Sequence, residues 1–167
     1  MQGSFALVSA AFDDGGPIPA IHTLEGLNLS PPLSWRGEPQ ATRSYALLLE
    51  DPDAPQGTWI HWVLFNIPAG LHALPLGLER SAELANGARH ARCWGVQHFD
   101  RIGYQGPQPP AGPAHRYRFD LLSLDCVLPL VPGCSPLELK AAIEGHVLAQ
   151  ARLTGLYACS RAVSEAC

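Results

Sequence analysis

SYALLLE at residues 44–50 and WIHWVLFNI at 59–67 are apolar runs of strand length, the second rich in aromatic and β-branched residues. Neither alternates, so both read as strands buried on two faces, as in the core of a sandwich. HRYRFDLLSLD at 115–125 does alternate at its start: His115, Tyr117 and Phe119 fall on one face, Arg116, Arg118 and Asp120 on the other. SFALVSAAF (4–12) predicts a first strand, and DDGGPIP ends it with turn chemistry. LNLSPPLSW (27–35) predicts an extended segment whose prolines place it at a sheet edge. Residues 68–114 read as irregular, densest in proline and glycine at GYQGPQPPAGP (103–113). One helix is predicted, in SPLELKAAIEG. Ser135 caps it, Pro136 suits its first position, Glu138 completes a capping box and Gly145 stops it. HVLAQARLTGLYA (146–158) then predicts a further helical turn and a last strand around 152–158. Strands dominate, so the fold class is mainly β: an antiparallel β-sandwich with a few short helices, the clearest near the C-terminus.

Composition narrows the function classes. Apolar residues make up 47% of the 167, enough for a sizeable core. The net charge of −4 argues against a nucleic-acid partner. Five cysteines without CxxC spacing read as mostly free thiols in a reducing compartment, and MQGSFALVSAAFDD lacks the basic start of a secretory signal, so a cytoplasmic location is expected. Ala54 to Leu78 carries no Asp, Glu, Lys or Arg, but three prolines interrupt it, so it is read as strand and loop rather than a membrane span. Length predicts one domain over 1–159, with a short tail at 160–167.

The candidate chemistry sits at strand ends. DPDAP (51–55) closes the first long run six residues before HWV (61–63). Asp51 and Asp53 share a side of an extended backbone, and Pro52 between them stiffens the corner. An X-Pro bond there is a candidate for the cis form. Taken alone, Asp-Pro-Asp is most often a solvated turn. His61, inside an apolar strand, needs partners for its nitrogens, and Asp51 is the expected one. For a lone strand histidine a satisfied core residue is the commoner case. His115 and Tyr117 open a strand directly after the proline-rich loop. Imidazolium and phenol groups donate hydrogen bonds, a carboxylate can hold a histidine charged, and backbone N–H groups of a glycine-containing loop can form a nest, so the set suits an anion such as phosphate or carboxylate. Zinc or iron is the rival, ranked lower for want of HxH or HxxxH spacing. A serine hydrolase is lower still, since no GxSxG occurs. PQPP (107–110), the basic ARHARCW (88–94) and His146 read as loop, solvated loop and helix-end cap.

Together DPDAP, HWV and GYQGPQPPAGPAHRYRF resemble the phosphatidylethanolamine-binding protein family in its bacterial, YbhB/YbcL-like branch. LSPPLSW and HVLAQARLTGLY are similar to further segments of that family, so the resemblance spans roughly residues 4–158. It implies a Greek-key β-sandwich with a small pocket near one end. Asp51, Asp53, His61, His115 and Tyr117 would line it, with Gly106 and Pro107 in its loop wall. The implied ligand is a small anionic or phosphorylated group, with no cofactor and no metal. Gln108 stands where bacterial members often carry cysteine, WGVQHFD (94–100) replaces the usual asparagine-containing loop, and the tail at 160–167 has no counterpart. Three functions are therefore expected in order: a small-anion binding module, an enzyme using His61, His115 and Asp51 for acid–base chemistry such as a cyclisation or isomerisation, and a kinase-inhibiting interaction module. Proline-marked edges leave a homodimer open.

Overall fold

The computed structural model describes residues 3–94 and 101–160. Eight strands form two antiparallel sheets. The smaller takes β1 (Ala6–Val8), β2 (Leu33–Arg36) and β5 (Ala73–Leu74), in the order β1-β2-β5. The larger takes β3 (Ser44–Asp51), β4 (Trp59–Pro68), β6 (Arg89–His90), β7 (His115–Leu124) and β8 (Val147–Tyr157), in the order β6-β4-β3-β7-β8. A single 3-10 turn covers Ala20–His22, and the helix α1 covers Pro136–Ile143.

The unbroken apolar run of β3 now has its reason. Tyr45, Leu47 and Leu49 enter a core between the sheets with Trp35 of β2, Trp62 and Leu64 of β4, and Phe119 and Leu121 of β7. Ala46 and Leu48 point the other way, into a second core with Val63, Phe65, Leu128 and the helix residues Leu139 and Ile143. A strand buried on both faces has no polar positions to alternate. An eight-residue helix is too short to persist alone. α1 is held by that apolar contact and by its predicted capping box, in which Ser135 Oγ accepts from Glu138 N–H and the Glu138 carboxylate accepts from Ser135 N–H.

Two expectations are corrected. The segment at 27–35 is not a sheet edge: β2 lies between β1 and β5, and Pro31 and Pro32 precede it, so neither removes a donor from the ladder. No helical turn follows α1; Gly145 turns the chain at φ +82° and β8 runs unbroken from Val147, pairing with β7 along its length. The cysteines are mostly free thiols as expected: Cys93, Cys126 and Cys134 are free, and Cys159 is disulfide-bonded.

One polar chain crosses the core. The Trp62 indole donates to His90 Nε2 at 3.0 Å, and His90 Nδ1 donates to the Ser81 carbonyl at 2.7 Å. Burial lowers the His90 pKa below its ordinary value, and the indole N–H pointing at Nε2 fits the neutral ring with Nε2 accepting. His90→Leu removes that acceptor and leaves a buried indole N–H unpaired. It is expected to cost about 1–3 kcal/mol in urea unfolding, with His90→Gln, which can still accept, recovering part of the loss.

Candidate functional site

β4, β3 and β7 lie side by side, and the site gathers where they end together. The pairing of β3 with β4 contains an irregularity there. Leu49 faces Trp62 and Glu50 faces Ile60, so one residue of β4, His61, has no partner on β3. This is a β-bulge, which re-aims the extra side chain. The bulge also releases the His61 carbonyl from the ladder. Gln105 N–H donates to it at 3.0 Å and the Cys93 thiol at 3.1 Å. In return His61 Nδ1 donates to the Gln105 carbonyl at 2.8 Å. A carbonyl only accepts, so this contact places the ring proton on Nδ1. Burial drives the pKa of His61 down, against the Gln105 carbonyl and the Asp51 charge, and the neutral form dominates. Its Nε2 is buried and has no hydrogen-bond partner among the described residues.

Asp51, expected to hold His61, holds His115 instead. His115 Nδ1 donates to Asp51 Oδ2 at 2.8 Å, and Asp51 Oδ1 accepts from Asp53 N–H at 2.9 Å. Both side chains of this pair are nearly buried. The alternation of β7 sets Tyr117 on the same face, its ring 6.5 Å from that of His115 and 5.5 Å from that of His61. Burial and then the charge and closeness of the Asp51 carboxylate push the phenol far above its usual range, so it remains an O–H group; its oxygen completes no hydrogen bond among the described residues.

A cavity of about 300 Å³ is lined by Asp51, His61, His115 and Tyr117, with Gly106 and the loop residues Gln105, Gln108, Pro109 and Pro110. Sequence reasoning missed the rest of its wall: Leu24, Ala54, Pro55, Trp59 and Arg101. Two candidates stand apart. Asp53 turns outward to Arg116, accepting from its Nη2, Nε and backbone N–H at 2.8, 3.0 and 2.8 Å. Pro107 is not in the lining; its carbonyl accepts from Leu24 N–H at 3.1 Å and so ties the loop to residues 22–28. Gly106 does not offer its N–H as an anion nest, because Asn28 Oδ1 takes it at 2.7 Å. Glycine is required there for space: a Cβ would lie 2.2 Å from the His22 carbonyl oxygen. All peptide bonds among the described residues are trans, including Asp51–Pro52. The segment 95–100 of WGVQHFD and the tail at 161–167 lie outside the described residues.

The pocket residues form no group of three metal-ligating atoms in mutual reach. Among the described residues such a group exists only at Asp125, Cys126 and His146, outside the lining. There His146 Nδ1 donates to Asp125 Oδ1 at 2.8 Å and its backbone N–H donates to the Ile143 carbonyl at 2.9 Å, so His146 closes the end of α1, as expected, and does not border the pocket.

The chain matches the phosphatidylethanolamine-binding protein family over residues 8–158 and belongs to it. It is 46% identical over 151 residues to a UPF0098 protein of Methanothermobacter thermautotrophicus, covering 90% of this chain and 97% of the relative. A UPF0098 protein of Pyrococcus horikoshii is 40% identical, covering 90% and 75%. Among solved structures, E. coli YbcL superposes with a TM-score of 0.85 at 30% identity over 95% of this chain and 100% of its own. A family homologue from Chlamydia trachomatis, CT736, gives 0.83 at 34% over 94% and 99%.

Arg116 holds the Asp53 carboxyl down at about 2. A depressed carboxyl stabilises the fold above its unfolded value near 4, and that contribution vanishes as pH falls through the folded value. Both partners are partly exposed, which limits the pair to about 1 kcal/mol. Asp53→Asn is thus expected to lose no more than about 1 kcal/mol at neutral pH, and chemical unfolding should show the gap from wild type closing between about pH 4 and 2.

Proposed function

We propose that this protein binds a small oxyanion, of the phosphate or phosphorylated head-group type, in the cavity between the ends of β3, β4 and β7. One observation carries the reading: His61 Nε2 and the Tyr117 hydroxyl belong to residues of the cavity lining and are buried without completing a hydrogen bond among the described residues. Buried polar atoms of a native fold are normally satisfied, and a pair left open in a cavity wall awaits a ligand. An oxyanion oxygen accepts from the Tyr117 O–H. Arg101 at the lining supplies positive charge, and His115, oriented by Asp51, presents its second nitrogen.

Size limits the ligand. About 300 Å³ is at the small end for ligand pockets. It suits a phosphate, a phosphoethanolamine-like head group or a short carboxylate, and is too small to enclose acyl chains as well. The apolar wall of Leu24, Ala54, Pro55 and Trp59 fits a short carbon stem beside the charged group.

A second reading rests on the buried Asp51–His115 pair. A carboxylate that orients an imidazole is the arrangement of an acid–base catalyst, here acting on a small organic substrate. Incubation with cell metabolites and mass spectrometry tests it: turnover that depends on His115 supports an enzyme, and no mass or retention change excludes one.

Inorganic phosphate and O-phosphoethanolamine are expected to raise the Tm of the wild type by several degrees. A ligand at a hundredfold excess over Kd adds about 2.7 kcal/mol to stability. His61→Ala and Tyr117→Phe should respond far less. Equal stabilisation of wild type and both variants would refute the assignment.

A further inference from the structure

The donors and acceptors facing the cavity do not balance for a fully ionised ligand. A phosphate monoester dianion brings only acceptor oxygens beyond its ester linkage. The cavity meets it with acceptors of its own. His61 carries its proton on Nδ1, spent on Gln105, so Nε2 presents a lone pair. The His115 Nδ1–H is engaged by Asp51 and is not free for the ligand. The Asp51 carboxylate itself is in the lining. Tyr117 supplies one O–H, and Arg101 is the one arginine or lysine of the lining among the described residues. Packing a dianion against a lone pair and a carboxylate in a desolvated cavity is unfavourable.

We propose that the pocket takes its oxyanion together with one proton: a phosphate monoester is held in its singly protonated form, with the P–OH donating to His61 Nε2. This rests on the reading of the cavity as an oxyanion site and specifies which ionic form it selects. The proton count is simple. The free dianion, one solvent proton and the protein combine into a complex whose new proton lies between a phosphate oxygen and Nε2. A ligand already singly protonated brings that proton itself.

The surroundings favour this arrangement. His61 faces Asp51 from β3, His115 and Tyr117 from β7, the Trp59 ring, the Cys93 thiol on its carbonyl, and the backbone of Gln105 and Gly106. Among the described residues Asp51 is the only carboxylate in the lining, since Asp53 is engaged by Arg116 outside it. Its charge is tolerable beside a monoanion that donates a hydrogen bond. Burial keeps His61 neutral in the free protein, so the acceptor is ready at neutral pH.

The second ionisation of a phosphate monoester falls near pH 6, so above neutrality each pH unit removes about nine-tenths of the protonated ligand. The test is calorimetric titration of the wild-type protein with methyl phosphate in HEPES and in Tris, at several pH values from about 6 to 9. The expected result at pH 8 is uptake of close to one proton, read from the difference in heat between the buffers, with Kd rising about tenfold per pH unit. Imidazole nitrogen NMR of the free protein should show His61 as the neutral Nδ1–H tautomer. Binding without proton uptake and with a flat Kd above pH 7 overturns the proton coupling while leaving the oxyanion site standing. An Nε2–H tautomer overturns it in the same way. No binding at any pH overturns both.

Discussion

One extra residue in β4 organises the site. Without the bulge, His61 would face the same side as its strand neighbours two positions away, and Val63 and Phe65 lie in the core under the helix. The unpaired position instead brings the imidazole to the cavity and leaves its carbonyl without a ladder partner. A buried carbonyl must be satisfied. Gln105 does so, and by exchanging a second hydrogen bond with the ring it decides which nitrogen carries the proton. Backbone irregularity, loop position and side-chain chemistry are thus one set of contacts.

The two aspartates of DPDAP divide the work. Asp51 stays inside, nearly buried, with both oxygens engaged by His115 and by the Asp53 N–H. Asp53 turns out and fixes the start of β7 through the Arg116 guanidinium and backbone. The outer ion pair adds little stability. Its value is positional: it locks β7 to the corner after β3, which sets where His115 meets Asp51.

Much of this was legible in the chain. The two-sided burial of β3, the alternation of β7 and the capping box of α1 follow from local periodicity and cap chemistry, which a sequence displays directly. The family resemblance brought Asp51, His61, His115 and Tyr117 to one place, and all four line one cavity. What was illegible depends on register. Whether Asp51 reaches His61 or His115 is decided by a one-residue slip between β3 and β4, and composition carries no sign of a slip. The family resemblance placed Asp53 and Pro107 at the pocket, but an arginine on the adjacent strand β7 and a neighbouring turn claim them. The central place of β2 was hidden because its prolines fall just before the ladder rather than inside it.

Pro55, Pro109 and Pro110 give the cavity a wall with fixed φ angles. A loop without such restraint would have to freeze when a ligand arrived, and that loss of freedom would weaken association. Here the ordering is completed when the chain folds. A guest therefore meets a socket rather than a closing hand, and most of the mobility surrendered on contact is its own.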